Sequence, residues 1–225
     1  MSGENRARGS SRDYVYNVLK DQIMNGEIVP GTKISYKEIA DELKVSRTPV
    51  REAFLQLNQE ELLGTFPQIG SIVKKIDLDL VEEGRFVREN IEKAIIREAM
   101  ISLDKEMMLQ LETNLTLQDF LLEKGSYQRL LELDDEFHCL VYKGCGKVRT
   151  WNMVKQMNIQ FDRLKLSRKL INHDWHIIVS QHHQIFDAIS NGDAILAEQI
   201  INDHLGLVNV EKKDLNGESS YFLTV

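Results

Sequence analysis

The chain is poor in the residues that break or staple a fold. Three prolines in 225 residues exclude a proline-rich linker or a collagen-like repeat and leave room for long helices. Two cysteines, Cys139 and Cys145, cannot build a disulfide framework, and they form no CxxC zinc knuckle. Both read as small buried or half-buried thiols. No apolar run approaches the roughly 18 residues of a membrane span. The opening MSGENRARGSSRD is polar where a signal peptide carries its apolar stretch. The expected location is therefore the cytoplasm, with no membrane partner. A net charge of −7 excludes a protein that coats nucleic acid over its whole surface.

What is present is unevenly placed. Residues 1–76 hold 11 Lys and Arg against 10 Asp and Glu, whereas 77–225 hold 17 against 25. Histidine is absent from the first 137 positions, and all 6 follow: His138, His173, His176, His182, His183 and His204. A hydrophobic share of 42% with 28% charged residues suits an ordered, helix-rich chain long enough for two domains. The expected layout is a flexible arm over 1–10, a winged helix-turn-helix over 11–76, a helical domain over 77–212 and a tail over 213–225. The expected class is mostly α, with an all-α antiparallel bundle following the winged helix-turn-helix.

The first part carries helix punctuation in quick succession. Val15, Val18, Leu19 and Ile23 keep helical spacing until Asn25-Gly26, and Pro30-Gly31 marks a turn. Ser35 with Glu38 predicts a capping box, and Ser46 predicts the cap of a third helix with Pro49 in its first turn. TFPQIGSIVKKI then predicts a small β-ribbon. From residue 77 onward six helical segments are expected, over 78–102, 104–124, 127–143, 147–169, 175–191 and 193–212.

In a helix-turn-helix the second helix enters the major groove with its leading residues toward base edges. SRTPVRE puts Arg47 and Thr48 there, with Arg51 one turn later on the same side. Arginine forms paired hydrogen bonds to guanine, while Ser46, Thr48 and the free N–H groups of the helix start suit a phosphate. The competing reading is an ordinary solvated basic face in which the arginines pair with Glu52.

These residues resemble the DNA-binding domain of the GntR superfamily of bacterial transcription regulators, over about Tyr14 to Ile76 and most specifically in SRTPVREA. The resemblance implies DNA contacts from Arg47 and Arg51, a backbone or base contact from Lys37, and a minor-groove approach by the wing at Gly70. Three residues depart from the family pattern. Tyr36 stands where an acid is common, Glu61 replaces a glycine before the ribbon, and Gln68 replaces a basic residue or histidine in the wing. With a near-neutral reader, tight binding is expected from a homodimer on a palindromic double-stranded operator.

A second constellation lies in the acidic part. In LELDDEFHCLVYK, Asp134 and His138 are four apart and share one helix face. His182 lies 10 residues before Gly192 and His204 12 after it, so a helical hairpin turning there brings the two imidazoles to a similar height. One carboxylate and three imidazoles suit Zn²⁺, Ni²⁺ or a similar divalent ion. Taken singly, each histidine reads equally as a hydrogen-bonded core residue. His183 is about 100° round the helix from His182 and faces elsewhere, and His173 and His176 read as surface or capping residues.

Asp134, His138, His182 and His204 are similar to the metal-binding set of the FCD ligand-binding domain, the FadR-type partner of GntR readers, over about Leu80 to Val210. The resemblance implies that the metal and Arg88 together hold a small organic acid, with six helices pointing to the VanR-like branch. An intrahelical Arg88–Glu92 pair is the alternative for that arginine. The functional expectation is a metal-dependent, ligand-responsive regulator, by default a repressor and not an enzyme. A helical metalloenzyme with an Asp/His3 site is the rival, although no HExxH and no placed general base accompany it. A third reading is a DNA-binding protein whose bundle only dimerises.

Overall fold

A capping box starts the first helix. In the computed structural model, which describes residues 10–68, 70–167, 175–214 and 223–224, Ser10 Oγ accepts from the Asp13 N–H at 3.2 Å. The Asp13 carboxylate accepts in return from the Ser10 N–H at 3.3 Å, at the head of α1 (Ser11–Met24). The arm over 1–9, His173 and most of the tail lie outside the described residues. In α2 (Tyr36–Glu42) the cap is Ser35 alone, accepting from the Lys37 N–H at 3.3 Å without the expected return bond from Glu38. Ser46 holds the cap position of α3 (Arg47–Gln59) but makes no capping bond with its side chain, which corrects the expectation for it.

The chain divides into two compact units. The first holds the chain up to Asp79, Asp162–Ser167 and the last strand. Its core is built where α1 meets α3, with Val15 and Leu19 buried alongside Val50, Phe54 and Leu57. At the end of α3, Glu60 takes a hydrogen bond from Tyr16 (2.6 Å) and an ion pair from Lys20 (2.9 Å), clamping the two helices. The predicted ribbon is β2 (Leu63–Phe66) against β3 (Gly70–Val73), antiparallel, with Leu63 opposite Val73 and Phe66 opposite Gly70. β1 (Lys33–Ile34) adds a third strand on the other side of β3. Two residues carry no periodic signal, so β1 is invisible to patterning. β4 (Ile76–Asp77) pairs in parallel with β5 (Leu223–Thr224).

Two of the family departures have structural explanations. Glu61 adopts φ +59°, a left-handed conformation that a glycine takes freely and a side chain takes at about 1–2 kcal/mol. Its carboxylate is held by Lys74. The Tyr36 ring packs on Phe54 with centroids 4.6 Å apart, so the aromatic replaces an acid with core contact.

The second unit holds Leu80–Phe161 and the helices over 175–214. α4 (Leu78–Ser102), α5 (Lys105–Glu123) and α6 (Tyr127–Gly144) follow the expected segments to within a residue or two. The fourth expected segment is instead two helices, α7 (Val148–Met157) and α8 (Ile159–Ser167). The break lies where α4 comes closest. A Cβ on Gly84 would stand 2.7 Å from the Met157 carbonyl oxygen and 3.3 Å from Asn158 Oδ1. There the Asn158 amide also donates to the Val154 carbonyl at 2.9 Å, a local bond that competes with helix continuation. α9 (Trp175–Asn191) and α10 (Ala194–Asp214) close the unit as a hairpin turning at Gly192, φ +71°. α5 packs on both α6 and α9. Among the described residues no helix is long and apolar enough to cross a membrane.

Candidate metal centre and nucleic-acid interface

The reader's site residues are all on the outside. Ser46, Arg47 and Thr48 are exposed at the head of α3, Arg51 is exposed one turn on, and Lys37 is exposed on α2. Arg47 and Arg51 make no hydrogen bond or ion pair within the described residues, so the pairing with Glu52 does not form. Ser46 Oγ, uncommitted to capping, stands beside the open N–H groups of the first turn. Gly70 opens β3 at φ +101°, with nothing within 4 Å of where a Cβ would sit. Gln68 next to the tip is also left-handed, φ +65°. Lys37 and Gly70 lie on separate elements from α3, and the exposed set as a whole is what a groove-facing surface of this motif requires.

The sensor's site residues are all inside. α6 contributes Asp134 and His138 from one face, α9 contributes His182 and α10 contributes His204. Each offers one donor atom, and these four atoms lie within 4.8 Å of one another, with the residues between 0 and 7% exposed. His138 Nε2 is 3.3 Å from His204 Nε2, and His182 Nε2 is 3.5 Å from Asp134 Oδ1. Donors bound about 2.0–2.1 Å from a zinc-sized ion at tetrahedral angles stand roughly 3.3 Å apart, so these edges fit a divalent transition ion. The His182 ring also stacks on Phe137, centroids 4.5 Å apart, which fixes its plane.

The other nitrogen of each imidazole lies beside an oxygen. His182 Nδ1 meets Gln118 Oε1 at 2.8 Å, His204 Nδ1 meets Gln181 Oε1 at 3.0 Å, and His138 Nδ1 meets Glu92 Oε2 at 3.1 Å. An oxygen acceptor places the proton on Nδ1 and leaves the Nε2 lone pair toward the cluster, which is the arrangement of ligating histidines. Two such lone pairs 3.3 Å apart repel unless positive charge lies between them. Gln118 is oriented in turn, since its amide N–H donates to Asn114 Oδ1 at 2.7 Å. Sequence reasoning did not single out Gln118, Gln181 or Glu92 as parts of this shell. For Glu92 a signal existed, its i, i+4 spacing from Arg88; for the glutamines there was none.

Arg88 is 1% exposed, and its Nε donates to Glu92 Oε1 at 2.6 Å. Its guanidinium also lies 5.8 Å from the Phe161 ring centre. Burial alone would raise the Glu92 carboxyl, but Arg88 and then His138 outweigh it and hold the group well below the usual carboxylate range. Among the remaining titratable candidates, His183 faces away and pairs with Asp119 at 3.0 Å, and His176 is exposed. The thiols are unreactive by environment: burial raises Cys139, and it pushes Cys145 up to about 11.

Comparison with known proteins matches two segments of the chain to families. The family of bacterial regulatory proteins called gntR matches residues 12–73, and the FCD domain matches residues 85–207. The transcriptional repressor RspR of Escherichia coli K12 is 32% identical over 206 residues, covering 92% of this chain and 90% of that protein. Among solved structures, McbR/YncC of E. coli superposes with a TM-score of 0.77 at 20% identity, covering 93% of this chain and all of the other, 100%. A GntR regulator from Rhodococcus sp. RHA1 superposes at 0.70 with 21% identity, covering 93% and 99%. The matched families and relatives are transcriptional regulators rather than enzymes.

Proposed function

The chain belongs to the GntR family of bacterial regulatory proteins and carries an FCD domain, and from that premise we propose a metal-dependent repressor, released from its operator by a small organic acid. The reader over 11–76 grips a palindromic operator as a homodimer in the cytoplasm, using Lys37, Ser46, Arg47, Thr48, Arg51 and Gly70. The sensor over 77–212 holds Zn²⁺ or Ni²⁺ through Asp134, His138, His182 and His204. An ion there supplies a Lewis-acidic position for an acid's oxygen. Arg88 supplies a guanidinium for the carboxylate. With α7 and α8 separate, the six-helix count that pointed to the VanR-like branch becomes seven among the described residues, α4 to α10.

The observation that carries this reading is the convergence of four donor atoms within 4.8 Å in the interior of the second unit, together with a first unit in which Arg47 and Arg51 are exposed and make no hydrogen bond or ion pair among the described residues. Acid binding to one arrangement of the dimer better than another shifts the population between them, and operator affinity follows by linkage. The deciding experiment is elemental analysis with native mass spectrometry of the purified protein. One Zn or Ni per subunit, two subunits per particle, and loss of the ion in His182→Ala are expected. A metal-free particle, or a variant that keeps its metal, refutes the metal centre and favours the bundle that only dimerises.

A further inference from the structure

Glu92 touches both the arginine and a member of the donor cluster. Its Oε1 accepts from Arg88 Nε at 2.6 Å and its Oε2 meets His138 Nδ1 at 3.1 Å, with all three side chains at most 3% exposed. The other two imidazoles rest on neutral amides, Gln118 and Gln181. This difference matters because a charged acceptor makes a shorter, stronger hydrogen bond than a neutral one. An imidazole that donates Nδ1–H to a carboxylate is also the more basic at its other nitrogen. One carboxylate is thus divided between two claimants. Whatever Arg88 draws from it, His138 does not receive.

We propose that Glu92 is a positioning residue that fixes the orientation of His138 and links the occupancy of Arg88 to the donor strength of His138 Nε2. The proposal rests on the reading of the cluster as a metal centre and adds a direction to it. An organic carboxylate arriving at the guanidinium satisfies part of its charge and returns Glu92 to His138, so the metal is held more tightly. By reciprocity the metal tightens the acid by the same factor. Metal and acid therefore cooperate through a side chain that contacts neither.

The test uses Zn²⁺ competed against a chelator, and Co²⁺ as an optical probe, on the full-length protein without any acid. Glu92→Gln keeps the shape and removes the charge, and should weaken metal binding by about tenfold or more. Arg88→Gln leaves Glu92 wholly to His138 and should tighten it by about fivefold. Opposite signs are the signature, because a residue that merely supports the fold would weaken the metal in both variants. Shifts of the same sign, or none, overturn the proposal. Should Glu92→Gln fail to fold, the double variant Arg88→Gln with Glu92→Gln removes both charges together and should show the same weakening. Independently of any ion, ¹⁵N spectra of the metal-free wild type should show His138 protonated on Nδ1; protonation on Nε2 also overturns it. A wild type that binds neither Zn²⁺ nor Co²⁺ defeats the metal centre itself, and the imidazole spectra still decide whether Glu92 orients His138.

Discussion

Arg51 and Arg88 are the same residue type in opposite circumstances. The first stands exposed on α3 and makes no hydrogen bond or ion pair among the described residues; the second is 1% exposed, bonded to Glu92 and seated by Phe161. On the proposed function, the exposed arginines of α3 keep their charge for a partner supplied by another molecule, and they contribute little to folding. In the second unit the charge of Arg88 is part of the fold. A buried ion pair adds little net stability when intact, yet losing one member leaves the other without compensation. On that reading, function and stability are separable in the first unit and inseparable in the second.

The largest effect should come from breaking the reader. Arg47→Ala with Arg51→Ala removes two paired base contacts of about 1–3 kcal/mol each, weakening operator binding by roughly 10²–10⁴-fold in fluorescence anisotropy. The melting temperature should stay within about 2 °C of wild type. A retained footprint would remove these arginines from the interface, and a large fall in melting temperature would erase the contrast. Next comes Arg88→Ala, which empties the other side of the comparison. It should cost about 3–5 kcal/mol in urea unfolding by leaving the buried Glu92 charge with only an imidazole in place of a guanidinium; a cost below about 1 kcal/mol would mean that the guanidinium is as dispensable to the fold as those of α3. The smallest effect separates two serines within the reader. Ser35→Ala loses a working cap and should cost about 1 kcal/mol, whereas Ser46→Ala should lie within about 0.5 kcal/mol and weaken DNA binding instead. Equal stability losses would show that Ser46 caps α3 after all.

The residues that made this organisation legible are those whose chemistry acts locally. Asn25-Gly26, Ser35 and the Gly192 turn mark element ends through their own backbone preferences, and the six-segment pattern beyond residue 77 follows from apolar spacing. The cluster was legible for a similar reason: four residues along one helix and a hairpin counted outward from Gly192 bring Asp134, His138, His182 and His204 to comparable heights. Other features were hidden because they depend on what arrives from elsewhere. The break at Asn158 is tied to the close passage of Gly84, 74 positions earlier in the chain. Gln118 and Gln181 are common residues whose place behind two imidazoles depends on how α5, α9 and α10 are rotated, which spacing along one helix does not encode. Ser46 shows the converse, a residue type that names a cap and is not used as one.

Because Asp134, His138, His182 and His204 have almost no surface of their own, a cation reaches or leaves them only when neighbouring helices part. Traffic at such a place is set by the breathing of the bundle, over intervals far longer than diffusion would allow. An ion there would outlast brief swings in the cell's metal supply, so its presence would record the history of that supply rather than the supply of the moment.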